Sequence, residues 1–199
     1  MTKLSTQTDF KPIWNYRITL ISTLVLVLVA ILAISTGPVA LEFSSVIRTL
    51  LGLDDGLVGR ERTLLLEIRL PRVALGALVG AALASSGAVY QTVFRNPLAD
   101  PYLLGTAAGA GLGATIAITS SSNSFNPALP IFAFIGGASA VAATFLVSGR
   151  YFSNPGVLLL SGIAVGAFFS SIQIYLQQRN TEVLRPVYSW ILGQLTVSD

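Results

Sequence analysis

Pro101–Gly149 reads PYLLGTAAGAGLGATIAITSSSNSFNPALPIFAFIGGASAVAATFLVSG, a run of 49 residues without one Asp, Glu, Lys or Arg. A helix needs about 20 apolar residues to cross a bilayer, so this run is long enough for two crossings. Ser120-Ser121-Ser122-Asn123-Ser124 with Asn126-Pro127 breaks it in the middle. Working outward, Ile18–Leu41, Val73–Phe94 and Tyr151–Gln178 are also free of charge, over 24, 22 and 28 residues. The pattern predicts five spans, at about Ile18–Thr36, Val73–Phe94, Pro101–Thr119, Pro130–Val147 and Pro155–Gln178. The expected fold is an all-α, polytopic transmembrane helix bundle in a lipid bilayer. None of the runs alternates with period two, so a β-barrel is excluded.

Composition points the same way. Of 199 residues, 53% are hydrophobic and only 11% charged, against about 25% charged in an ordinary soluble domain. Such a chain cannot coat a globule with solubilising side chains. There is no Cys and no His, which removes disulfides, Cys/His zinc sites, thiol nucleophiles and imidazole bases. The two lysines, Lys3 and Lys11, lie in the N-terminal tail, so no phosphate-binding G-x-x-x-x-G-K-[ST] loop exists. A scattered net charge of +3 does not make a nucleic-acid surface. No catalytic, metal or cofactor site is expected, and any energy-driven chemistry belongs to another chain.

Prolines and small residues organise the spans. Pro71, Pro101, Pro130 and Pro155 each stand at or just before the start of an apolar run, where a missing N–H does least harm. Asp100 and Asn154 precede two of them as N-cap types. Arg185-Pro186 opens an apolar stretch too short to cross, read as an interfacial helix at about 186–195 or the start of a sixth span. The first span has no Gly and suits a lipid-facing edge; at 19 residues it exceeds the 7–15 of a signal-peptide core. Elsewhere small residues recur every fourth position: Gly76, Gly80, Ala84 and Ala88; Gly105, Gly109 and Gly113; Gly136 and Ala140; Gly162, Gly166 and Ser170. Such ridges let helix backbones approach closely in lipid. Counting Lys and Arg leaves orientation open: a cytoplasmic N-terminus puts five inside and seven outside.

Ile68-Arg69-Leu70-Pro71-Arg72 is followed by GAALASSGAVYQ (Gly80–Gln91), RNPLADPYLLG (Arg95–Gly105) and Gly109-Ala110-Gly111. In order and spacing this closely resembles the FecCD-type permeases, the membrane subunits of vitamin B12 and ferric-siderophore ABC importers. Leu158-Leu159-Leu160-Ser161-Gly162-Ile163-Ala164 and Leu184–Leu195, with Trp190 and Gly193, resemble two further family segments. The likeness runs from about residue 18 to the C-terminus, with residues 1–17 left as a tail.

The resemblance implies a prokaryotic plasma (inner) membrane permease, with the N-terminus cytoplasmic, that carries iron–siderophore or a related haem or corrinoid. Its implied partners are cytosolic ATPase subunits, an extracytoplasmic substrate-binding protein and a second permease subunit, identical or not. Arg69 and Arg72, read as sharing one face, would dock the binding protein. Asn96 and Leu98, with Ser153 and Asn154 in the loop before the fifth span, would narrow the cytoplasmic mouth. Ser161, Gly162, Gly166, Ser170 and Gln173 would line the pathway. No span core holds an ionisable residue, which disfavours a proton- or sodium-driven mechanism. Family members have ten spans, so the sequence corresponds to a first half. It is read as a truncated or frameshifted copy, a fragment, or a half-permease, with a non-transporting remnant or assembly partner as the alternative.

Overall fold

The computed structural model describes residues 15–53, 56–120 and 127–193. The tail before residue 15, most of the Ser/Asn break at 121–126 and the end of the stretch at 186–195 lie outside them. The chain divides into two compact units, Met1–Leu75 with Val197–Asp199, and Gly76–Thr196. Among the described residues all regular structure is helical.

The first unit opens with α1, Tyr16–Ser35, whose Asn15 Oδ1 accepts from the Arg17 N–H at 3.3 Å. Leu20, Leu24 and Leu28 are exposed and only Ile34 is buried. A helix apolar on every side has the character of a membrane span. A short helix α2, Phe43–Leu50, follows and sinks Val46 between outward-facing Ser44 and Arg48. Val46 joins Ile34, Leu41, Leu57 and Leu65 in a small core. The chain then enters α3, Arg60–Thr63, passes through a π-helical stretch, Leu64–Arg69, and runs on as α4, Leu70–Phe94.

Helix thus begins well before the expected Val73, and Pro71 lies inside it rather than at its start. Proline cannot donate to the carbonyl four residues back, and its ring crowds that carbonyl. The wider π turn, in which the Leu70 N–H bonds to the Leu65 carbonyl, absorbs the misfit.

In the second unit, the Pro101–Leu104 3₁₀ turn leads to α5, Thr106–Thr119. It is followed by α6, Leu129–Ser148, α7, Pro155–Arg179, and the short α8, Leu184–Ile191. Four helices among the described residues are long and apolar enough to cross a membrane: Tyr16–Ser35, Arg60–Phe94, Leu129–Tyr151 and Pro155–Arg179. The expected span at 101–119 is the exception. Its first residues form the 3₁₀ turn, and Gly105, at φ 78°, separates that turn from the helix. The 14 residues of α5 extend about 21 Å, short of a hydrocarbon core of about 30 Å. Instead α5 is enclosed by protein: Gly109, Gly111, Leu112, Gly113, Ala114, Thr115 and Ala117 are buried, against α6 and α7.

Candidate functional site

Arg69 and Arg72 part company despite being three residues apart. Arg72 is exposed, whereas Arg69 is only 8% exposed. The π turn ends at Arg69, and its side chain folds against the end of α1. Nη1 donates to the carbonyls of Ile34 at 2.9 Å and Ser35 at 3.0 Å, and Nη2 donates to that of Val39. Arg69 is thus hydrogen-bonded within its own unit, whereas Arg72 is open to the surroundings.

The loop from Arg95 to Gly105 is tied down at both ends. The Arg95 N–H donates to the Thr92 carbonyl at 3.3 Å, and the Asn96 N–H to the Gln91 carbonyl at 3.2 Å. These two bonds form a Schellman cap on α4. It places Arg95 at φ 48°, the one non-glycine residue at positive φ among those described. Asn96 Oδ1 then accepts from the Leu98 N–H at 2.9 Å, and Leu98 projects outward at 84% exposure. Asp100 Oδ1 accepts from the Tyr102 N–H at 2.7 Å, so this cap serves the 3₁₀ turn and not α5 directly. A cleft of about 370 Å³ runs beside the loop, walled by Ala84, Gly87 and Gln91 of α4 and by Asp100 and Tyr102.

The far end of the loop docks on α7. A methyl group on Gly162 would strike the Leu103 carbonyl and approach the Leu104 Cα to 2.9 Å. One on Gly105 would meet the Gly162 carbonyl and the Gly166 nitrogen, both at 3.3 Å. The Leu103-Leu104-Gly105 and Ser161-Gly162 segments are therefore two sides of one contact. Phe94, Ala99, Leu104 and Leu158 form the core beneath it. Thr144 of α6 adds a buried hydrogen bond from Oγ1 to the Leu104 carbonyl at 3.0 Å.

This changes the reading of α7. Ser161, Gly162 and Gln173 are buried and Gly166 and Ser170 half-buried. They form the packed face, and Gln173 Oε1 lies 2.8 Å from where a Gly111 methyl group would sit. Within this unit the small residues on that face make close helix contacts. The exposed side of α7 carries Leu160, Ile163, Phe168, Ile174 and Tyr175. At its start, Asn154 Oδ1 accepts from the N–H groups of Gly156 at 2.9 Å and Val157 at 3.4 Å; Ser153 beside it is exposed. Gly37 and Thr144, which the sequence does not single out, prove to be structural contacts of Arg69 and Leu104. Thr144 carries no pattern that marks it, whereas Gly37-Pro38 directly after a span is a visible corner.

The pattern of the FecCD transport family matches residues 24–199. The chain belongs to the FecCD transport family. The matched region takes in the Arg69 corner, the Arg95–Gly105 loop and the α7 contact together. Among relatives, the cobalamin import system permease protein of Halobacterium salinarum is 41% identical over 129 residues, 64% of this chain and 35% of that protein. The Fe(3+)-citrate import system permease protein of Bacillus subtilis is 32% identical over 176 residues, 88% of this chain and 52% of that one. A solved metal-chelate type ABC transporter in an inward-facing conformation matches with a TM-score of 0.72 and 27% identity, covering 93% of this chain and 56% of that one. The chain thus spans between about a third and just over half of the length of these relatives.

Proposed function

We propose that this chain forms the first part of the substrate pathway of an ABC importer for an iron–siderophore, or for a related haem or corrinoid. The observation that carries this reading is the family match over residues 24–199, in a bundle whose spanning helices are apolar enough to sit in lipid. In this reading the chain sits in a prokaryotic plasma membrane with its N-terminus in the cytoplasm. Cytosolic ATPase subunits supply the energy, and a second permease subunit completes the pathway.

Arg72 is the docking arginine for an extracytoplasmic binding protein, supported by exposed Arg60 and Arg62. Such complementary charges steer encounter and set register more than they add affinity. The Arg95–Gly105 loop, with Asn96 and exposed Leu98, and the Ser153-Asn154 corner are the candidate constrictions at the cytoplasmic mouth. The exposed apolar side of α7 is the better candidate for the pathway wall, since its small residues are already occupied.

Reconstitution in proteoliposomes with the ATPase, the remaining permease segments and a binding protein tests the proposal. Loaded binding protein should stimulate ATP hydrolysis, and Arg72→Glu should remove most of that stimulation while the protein still inserts. Absence of any stimulation with the unaltered chain overturns the importer reading. Full stimulation with Arg72→Glu overturns the docking assignment alone.

A further inference from the structure

We infer that Arg69 is the C-terminal cap of α1, a positioning residue that fixes the corner where the chain leaves its first membrane helix. The last four carbonyls of any α-helix have no partner within it. In a packed corner next to the membrane water does not reliably supply one, and a buried carbonyl left unmet is destabilising. The last turn of α1 contains no basic residue, so the cap is brought from 34 positions away in sequence. A guanidinium is well matched to such a cluster of acceptors, because it holds five N–H donors in one plane and accepts nothing. Arg69 directs one nitrogen at Ile34 and Ser35 and another at Val39. The bonded groups are the final carbonyls of α1 and one just beyond its end. Positive charge at that end of the helix also complements its dipole.

A second feature serves the same corner. Gly37 lies against the guanidinium, and a methyl group added there would come within 2.7 Å of Nη2 and 3.0 Å of Cζ. Backbone without a side chain lets the planar group lie flat across the corner. On the other side the π turn at Leu64–Arg69, imposed next to Pro71, places Arg69 at the turn's end. Gly37, Arg69 and Pro71 therefore act together in joining α1 to the start of α4. The inference concerns this unit alone and does not rest on the importer reading.

The first test needs no substitution. Phenylglyoxal modification of the detergent-solubilised wild-type chain, read by mass spectrometry, should label Arg72 at least about tenfold faster than Arg69, because a group in a packed corner reacts only through local opening. Denaturation should equalise the two. Equal rates in the native protein overturn the inference.

A double-mutant cycle gives the second test, by thermal unfolding without any partner present. Arg69→Ala should lower Tm by about 5–10 °C, with partial recovery in Arg69→Lys. Gly37→Ala should lower Tm in the wild type but have at most a small effect in the Arg69→Ala background, where no guanidinium remains to collide with it. Strict additivity of the two losses overturns the inference. Unaltered binding-protein stimulation would not rescue it, and loss of stimulation would not count against it.

Discussion

Gly109 of α5 and Gly136 of α6 face each other across the bundle, each lacking the atom that would strike the other's backbone. A methyl group on Gly109 would run into the Gly136 carbonyl and reach within 2.6 Å of the Ala140 Cβ. One on Gly136 would run into the Gly109 carbonyl and come within 3.1 Å of the Gly113 Cα. Neither obstacle is a flexible side chain. Gly109→Ala or Gly136→Ala should therefore push the two helices apart, costing about 1–3 kcal/mol as overpacking does. Gly87→Ala, with nothing within 4 Å of the added atom, should be far milder. Thermal unfolding of the three variants in one detergent gives the ranking, and a Gly87→Ala loss equal to that of Gly109→Ala would sink the argument.

Thr144 binds the α6 helix to the loop end through the Leu104 carbonyl. Replacing it by Val preserves shape and removes the donor, leaving a buried carbonyl unmet. Hydrogen bonds between membrane helices are worth about 0.6 kcal/mol on average and up to about 1.7. Thr144→Val should fall near the upper end, since the site is fully buried, and Thr144→Ser should regain most of the loss. Equal stability of the Val and Ser variants would show that the bond contributes nothing.

How far these contacts can be read in advance depends on whether lipid or protein covers a residue. Charge-free runs locate α1, α6 and α7 to within a few residues, because lipid imposes a length and a polarity that any charge would break. In α5 the helix is shorter than the charge-free run that holds it, because it is enclosed by its neighbours, and its glycines record protein contact. Spacing also placed the small residues of α7 on one face, yet could not say whether a partner or a passage faces them. Arg69 was the least legible, since its partners are backbone carbonyls, which carry no sequence signature. Pro71 offered a clue, because a proline beyond the first turn forces a local irregularity.

Arg95 occupies the left-handed region at φ 48°, where a side chain costs about 1–2 kcal/mol and glycine is the usual occupant of a helix C-cap. Arg95→Gly should therefore stabilise the isolated chain by up to about 1 kcal/mol, the gain being reduced by greater freedom in the unfolded state. Arg95→Ala, which keeps the Cβ, should not. Differential scanning of the three proteins decides between them. If Arg95→Gly instead melts lower than Arg95→Ala, the side chain has a contact that outweighs the strain.

Asn154 has two candidate roles, the cap of α7 and a constriction at its mouth, and substitutions can separate them. Its Oδ1 takes up two of the first free N–H groups of the helix, so Asn154→Ala should cost about 1 kcal/mol. Asn154→Asp keeps an acceptor in the same place, adds negative charge at a helix N-terminus, and should be as stable as wild type or slightly more so. In the assembled transporter the same Asp places a fixed charge at the proposed cytoplasmic mouth. A change in basal substrate leak or basal ATP hydrolysis for Asn154→Asp, with unchanged melting, is the outcome expected of a residue that also lines the exit. Basal rates equal to wild type in both variants would leave Asn154 as a helix cap and remove it from the gate.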